Sequence, residues 1–302
     1  MTCYHPITGY RSKEGRNPDT GAWPIVFNPK KGYIDMPVLV PCGQCIGCRL
    51  EKSRQWAVRC VHEATLHEKN CFVTLTYNPQ NLPPNGSLDK RALTLFFKRL
   101  RKKFGEGIRY FACGEYGEQL QRPHYHVIFF GFEPPDLKPW SYKHGNILYR
   151  SPSIEKLWPF GFSTVGEVTF ESCAYVARYV TKKITGDMAE EHYKGREPEY
   201  VVMSRRPGIG RAWLEKYASD VYNYDYVVIR GGIKCKPPRY YDKVYDEINP
   251  DDMSAIKYRR KWNAILKERE NPDENSWSRL RVKEAIQYLK SQKLIRPLEG
   301  EI

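Results

Sequence analysis

No run of about 18 consecutive apolar residues occurs in the 302-residue chain, so the sequence offers no transmembrane helix. The first residues, Met1-Thr2-Cys3-Tyr4-His5-Pro6, contain no apolar signal core, and the expected place of work is a cytoplasm. No Gly-x4-Gly-Lys-Ser/Thr loop is present, so no ATP-driven helicase domain and no ATP requirement are expected. Internal repeats are also absent. Acidic residues are in deficit: Asp+Glu is 35 against Lys+Arg 49, a net charge of +14. Such an excess favours a polyanionic partner, most often nucleic acid. What remains is a chain with 41% apolar residues and a 14% aromatic share, enough to bury a sizeable core. Its nine cysteines should stay reduced in a cytoplasm, where clustered cysteines read better as metal ligands than as disulfides.

Residues 1–48 are rich in Gly, Pro and turns and show little periodicity. They end in Pro41-Cys42-Gly43-Gln44-Cys45-Ile46-Gly47-Cys48. Three cysteines at two-residue gaps can place several thiolates around one ion. A structural Zn²⁺ needs four ligands, and Cys3 or His5 is the available fourth. Redox chemistry by Cys42 and Cys45 is the competing reading, but no thioredoxin-like strand precedes them.

Residues 49–68 read as a helix and 71–77 as a strand bounded by Asn78-Pro79. Ser87 is the expected cap of a helix whose buried stripe is Leu93, Phe96, Phe97, Leu100 and Phe104. Lys98, Arg99, Arg101, Lys102 and Lys103 crowd its far end, either as a solvated helix terminus or as a DNA contact. A strand over 108–114 is followed by Glu115-Tyr116-Gly117-Glu118 and then by Arg122-Pro123-His124-Tyr125-His126-Val127-Ile128-Phe129-Phe130. On that last strand His124 and His126 share a face and Tyr125 points the other way. Two imidazoles make half of a metal site. Glu115 is the preferred third ligand, level with the histidines if the two strands form a hairpin; Glu118 is the alternative. Beyond this, Thr169 should cap a helix running to about residue 184. It places Tyr175 and Tyr179 on one face with Lys182 three residues on. Tyrosines at helical spacing are ordinarily core residues. Next to a metal, either could instead be a nucleophile, with Lys182 stabilising developing charge. Past 186 the chain is more polar, with strands near 200–203 and 226–230, a basic turn at Arg205-Arg206, and charged helices from 257 onward.

The order of these motifs resembles the HUH endonucleases, the rolling-circle replication initiators, and most of all those of the microviruses in their gokushovirus branch. The likeness rests on Phe72–Tyr77, Gly114-Glu115-Tyr116-Gly117, Arg122–His126 and Tyr175–Lys183, with Met1-Thr2-Cys3 and the Cys42/Cys45/Cys48 knuckle beside them. It implies an α+β fold, a central antiparallel sheet flanked by helices. An N-terminal Cys-rich segment (1–48) would pack on an endonuclease core (49–186), and a helix-rich extension (187–302) would contact DNA or a host factor. It implies Mg²⁺ or Mn²⁺ held by His124, His126 and a nearby acid, and a 5′-phosphotyrosine on Tyr175 or Tyr179. The substrate would be viral origin DNA, gripped through the basic positions already named and Arg122, Arg178, Lys183, Arg205 and Arg206. Host helicase and polymerase would assist in the cytoplasm of a bacterial cell. The alternatives are a single-tyrosine transposase or relaxase-like enzyme, and a non-catalytic basic zinc protein that binds DNA.

Overall fold

Val127-Ile128-Phe129-Phe130 is apolar without alternation, the pattern of a strand covered on both faces, and helices do cover it on both. The computed structural model describes residues 3–18, 21–117, 120–143, 146–179 and 188–292, and the side chains of Lys143, Asn146, Tyr179, Met188 and Gln292 are outside that description. In chain order come strands β1 (Ile7–Ser12), β2 (Ile25–Val26) and β3 (Gly32–Val40), helix α1 (Ile46–Ala64), strand β4 (Asn70–Tyr77) and helix α2 (Lys90–Phe104). Strands β5 (Arg109–Tyr116), β6 (Pro123–Phe130), β7 (Lys138–Lys143) and β8 (Asn146–Arg150) lead to helix α3 (Pro152–Leu157), strand β9 (Gly161–Gly166) and helix α4 (Phe170–Tyr179). Then follow α5 (Met188–Tyr193), β10 (Tyr200–Met203), α6 (Arg211–Tyr222), β11 (Val227–Ile229), β12 (Ile233–Cys235), α7 (Arg239–Ile248), α8 (Pro250–Glu270) and α9 (Trp277–Gln292). The fold is α+β around a large antiparallel sheet, as expected.

Among the described residues, 3–51 and 262–292 form one compact unit and 52–261 the other. The first holds a three-stranded antiparallel sheet, order β2-β1-β3, where the sequence showed only turns and glycines. It also holds a small apolar cluster of Cys3, Tyr4, Cys45 and Leu280 of α9. His5 Nε2 lies 2.6 Å from Glu284 Oε2 and joins α9 to the N-terminal segment.

The second unit is built on a seven-stranded sheet, order β10-β5-β6-β4-β9-β8-β7, antiparallel throughout. One face packs on α2 and α3: Val73, Leu75, Tyr125, Val127 and Phe129 meet Leu93, Phe96, Phe97, Leu100 and Ile154. The other face packs on α1 and α4: Phe72, Phe111, Ile128 and Phe130 meet Ala57, Cys60, Cys173 and Val176. By alternation His124 and His126 belong to this second face, with the tyrosine helix, and Tyr125 to the first.

Two local readings are corrected. The cap of α2 is Asp89, whose side chain accepts from the N–H groups of Arg91 (2.7 Å) and Ala92 (3.0 Å). Ser87 lies before the first turn, and its hydroxyl accepts from Glu197 N–H at 3.0 Å instead. Strand β5 also runs on to Tyr116, so Glu115 is a strand residue rather than part of a connection. The first turn of α4 is capped by Thr169 as expected: its Oγ1 accepts from Ser172 N–H at 3.1 Å, and Thr169 N–H donates back to Ser172 Oγ at 2.8 Å.

Candidate active site

Strand register brings three chemistry-bearing side chains to one spot. Glu115 on β5 lies directly opposite His124 on β6, and His126 lies opposite Thr74 on β4. One carboxylate oxygen, Glu115 Oε1, is 2.9 Å from His124 Nε2 and 2.9 Å from His126 Nε2. Ligand atoms in adjacent positions around an ion at about 2.1 Å stand about 3 Å apart. The spacing therefore suits one small divalent cation. Two imidazoles and one carboxylate also leave coordination positions open.

The outer contacts of the imidazoles agree with that donor set. His124 Nδ1 lies 3.1 Å from the carbonyl of Arg122. A carbonyl can only accept, so Nδ1 carries the proton and the Nε2 lone pair faces Glu115. Lone pair against carboxylate is repulsive unless a cation stands between them. His126 Nδ1 lies 3.0 Å from Thr74 Oγ1, and Phe72 stacks on its ring at 5.5 Å. Burial pushes the Glu115 carboxyl up. Hydrogen bonds from His124 and His126, and the charge on those rings, outweigh it and hold the pKa down to about 2. The ligand is thus ionised at any working pH. Glu118, the alternative third ligand, is outside the described residues.

Helix α4 lies over the His126 end. The Tyr175 hydroxyl is 3.4 Å from His126 Nε2, the rings meet edge to face at 5.0 Å, and the residue is 2% exposed. Tyr175 therefore serves as a core aromatic and also presents its hydroxyl to the triad. The Arg178 guanidinium carbon sits 5.6 Å from the Tyr175 ring centroid. The side chain of Tyr179, and Lys182 and Lys183 entirely, are outside the described residues.

The four cysteines Cys3, Cys42, Cys45 and Cys48 also come together, with all four sulfurs within 4.8 Å of one another. Tetrahedral Zn²⁺ at about 2.3 Å from each sulfur requires about 3.8 Å between sulfurs, so the group fits. Backbone N–H groups of Cys42, Cys45 and Tyr4 donate to the sulfurs of Cys3 (3.2 Å), Cys42 (3.3 Å) and Cys45 (3.4 Å). Burial raises the Cys45 thiol, but the N–H of Tyr4 and the neighbouring Cys48 lower it further, to about 7. His5, the other candidate ligand, turns to Glu284 instead.

The basic candidates do not gather at one place. Lys98, Arg99, Arg101, Lys102 and Lys103 end α2, which packs on the face away from the triad. Arg122 is near it, held by a 2.9 Å bond to the Tyr77 carbonyl at the end of β4. Arg205 and Arg206 are exposed beyond β10, at one edge of the sheet. Sequence reasoning missed Thr74, because which strand pairs with the histidine strand is not a local property. A polar residue at an alternate position of the apolar strand 71–77 was the available signal.

Residues 70–184 match the family model of the replication-associated proteins of the ORF2 type. The chain is 36% identical over 265 residues to replication-associated protein VP4 of Bdellovibrio phage phiMH2K, spanning 83% of this chain and 79% of that protein. It is 35% identical over 290 residues to replication-associated protein ORF2 of Spiroplasma virus 4, spanning 88% of this chain and 87% of that protein. Replication-associated protein ORF4 of Chlamydia phage 1 is 31% identical over 76% of this chain and 58% of its own length. No solved structure matches the chain.

Proposed function

The chain belongs to the family of phage replication-associated proteins, the microvirus-type replication initiators, and on that premise we propose that it is a metal-dependent, strand-specific DNA endonuclease of the HUH type. It nicks the viral origin and rejoins the displaced strand into a circle. The observation that carries this reading is the Tyr175 hydroxyl 3.4 Å from a ligand atom of the Glu115–His124–His126 triad.

When bound there, a divalent ion such as Mg²⁺ or Mn²⁺ polarises a phosphate and offsets its charge. Everything else falls to the chain. Tyr175 is buried, whereas the His124 side chain is 17% exposed, so the scissile phosphate enters from the His124 side. The tyrosine oxygen attacks phosphorus after giving up its proton, and the bond to the 3′ oxygen breaks. The 5′-phosphate stays on tyrosine, and the 3′-oxygen takes up a proton as a free hydroxyl for a polymerase. One ester replaces another, so the reverse attack by a 3′-hydroxyl rejoins the strand without ATP. Tyr175 and Tyr179 divide the two rounds, and Lys182 stabilises the charge that develops. Cys3, Cys42, Cys45 and Cys48 hold a structural Zn²⁺. Residues 187–302 contact duplex DNA or a host helicase, within the infected cell. A non-catalytic DNA-binding protein would leave the shared Glu115 oxygen and the tyrosine beside it without a role.

Incubating the protein with circular single-stranded viral DNA and Mn²⁺ is expected to convert circles to linear strands. Replacing His124 and His126 by Ala should abolish the conversion. Full conversion by the double variant, or none by the wild type with either metal, would contradict the proposal.

A further inference from the structure

Residues directly opposite one another on antiparallel strands share a face. Glu115 is opposite His124, His124 is opposite Thr76, and Thr76 is opposite Phe162 on β9. With about 4.8 Å between strands, Phe162 is about 10 Å from the histidine strand along one row. Helices α1 and α4 cover the other end of this face but leave Phe162 43% exposed. Beyond it, at the end of β8, the Arg150 guanidinium carbon stands 5.8 Å from the Phe162 ring centroid. It stands 4.9 Å from the ring of Trp140 on β7, which is 63% exposed. Arg150 Nε donates to Glu155 Oε1 at 2.6 Å, so the guanidinium is held in place between the rings. Neither ring is part of the two apolar clusters that fill the faces of the sheet. Isolated exposed aromatics are ordinary. Two rings with a fixed cation between them, continuing a row that starts at the triad, form a connected surface.

We propose that Phe162, Arg150 and Trp140 form a track for single-stranded DNA running from the triad, with Phe162 and Trp140 as platforms on which unpaired bases stack. The inference rests on reading the triad as a strand-cleaving site, and it names how the strand beside the scissile phosphate is held. A duplex hides its base faces, so exposed rings discriminate for unpaired bases. The chain's +14 charge suits a polyanion. Arg150 is already paired with Glu155, so the track contributes stacking rather than charge neutralisation.

Fluorescence anisotropy of a labelled oligothymidylate of about 20 nucleotides, without added Mg²⁺ or Mn²⁺, tests this on the full chain. Each of Phe162→Ala and Trp140→Ala should weaken binding by about 5- to 150-fold, the range for one lost base stack. The salt slope should stay as in wild type, because no phosphate contact is lost. Phe162→Tyr should bind like wild type, and both Ala variants should bind a duplex of the same length unchanged. Wild-type single-strand affinity in both Ala variants would overturn the proposal. So would a parallel loss of single-strand and duplex binding, or a loss accompanied by a shallower salt slope. Strand opening by wild type is scored separately. No opening together with the Ala-specific binding loss would sink the endonuclease reading and keep the track; opening with undiminished binding would do the reverse.

Discussion

Thr74 contributes one hydrogen bond, and that bond sets how His126 faces the triad. Replacing it by Val leaves the ring free to turn. The expected loss is about 10- to 100-fold in Mn²⁺ affinity, measured by calorimetry, with little change in melting temperature. His62 shows the opposite use of an imidazole. It is buried, stacked on Trp213 with ring centroids 3.5 Å apart, and its Nδ1 lies 3.0 Å from the Tyr241 hydroxyl. Burial lowers its pKa from 6.5 to about 3. Above about pH 6.5 it is neutral folded and unfolded. Below that, the unfolded chain binds a proton that the folded chain refuses, so stability falls as pH falls, until about pH 3. Between about pH 7 and 5.5 the loss is about 1 kcal/mol in urea melts, and His62→Gln should remove it. The sequence showed the triad's histidines through simple alternation. It could not show that Thr74, Phe162 and Arg150 share their neighbourhood, because cross-strand register joins residues scores of positions apart.

At the level of elements, what was legible follows length and periodicity. Helix α2, with five regularly spaced buried residues, and strands β4, β5 and β6 were read within a few residues. Helix α3 has six residues and β7 starts in a proline-rich stretch, so neither carries enough pattern to be seen. The cap of α2 was misplaced by two residues because Ser87 and Asp89 are both good capping types, and only the backbone path decides between them. Asp89→Ala should therefore cost about 1 kcal/mol in denaturant unfolding, and Ser87→Ala much less. Strand β9 makes a further demand. A Cβ on Gly161 would stand 2.3 Å from the Thr76 carbonyl oxygen and 2.5 Å from the Asn78 nitrogen. Backbone cannot yield as a side chain can, so Gly161→Ala should destabilise the protein by about 1–3 kcal/mol. By moving β9 it should also weaken single-strand binding, as anisotropy would show.

For the whole molecule, charge and cysteines make separate claims. Each phosphate neutralised on a single strand contributes about −0.7 to the slope of log affinity against log salt. If Arg205 and Arg206 each meet a phosphate, replacing both by Ala flattens the slope by about 1.4, and an unchanged slope removes them from the interface. The cysteine cluster is expected to carry one Zn²⁺ per chain, lost in Cys45→Ser and retained in His126→Ala, by metal analysis of purified protein. The most direct test of the central claim uses the chain's own cleavage sites. Trypsin cuts after Lys156, Arg178 and Lys182, so Tyr175 leaves on peptide 157–178 and Tyr179 on peptide 179–182. Protein reacted with single-stranded viral DNA and Mn²⁺ is treated with nuclease and trypsin, and its peptides are weighed. The expected result is a nucleotide phosphate on one or both of those peptides, absent when both tyrosines are Phe. A nucleotide on any other peptide, or on none while strands are still cut, would contradict it.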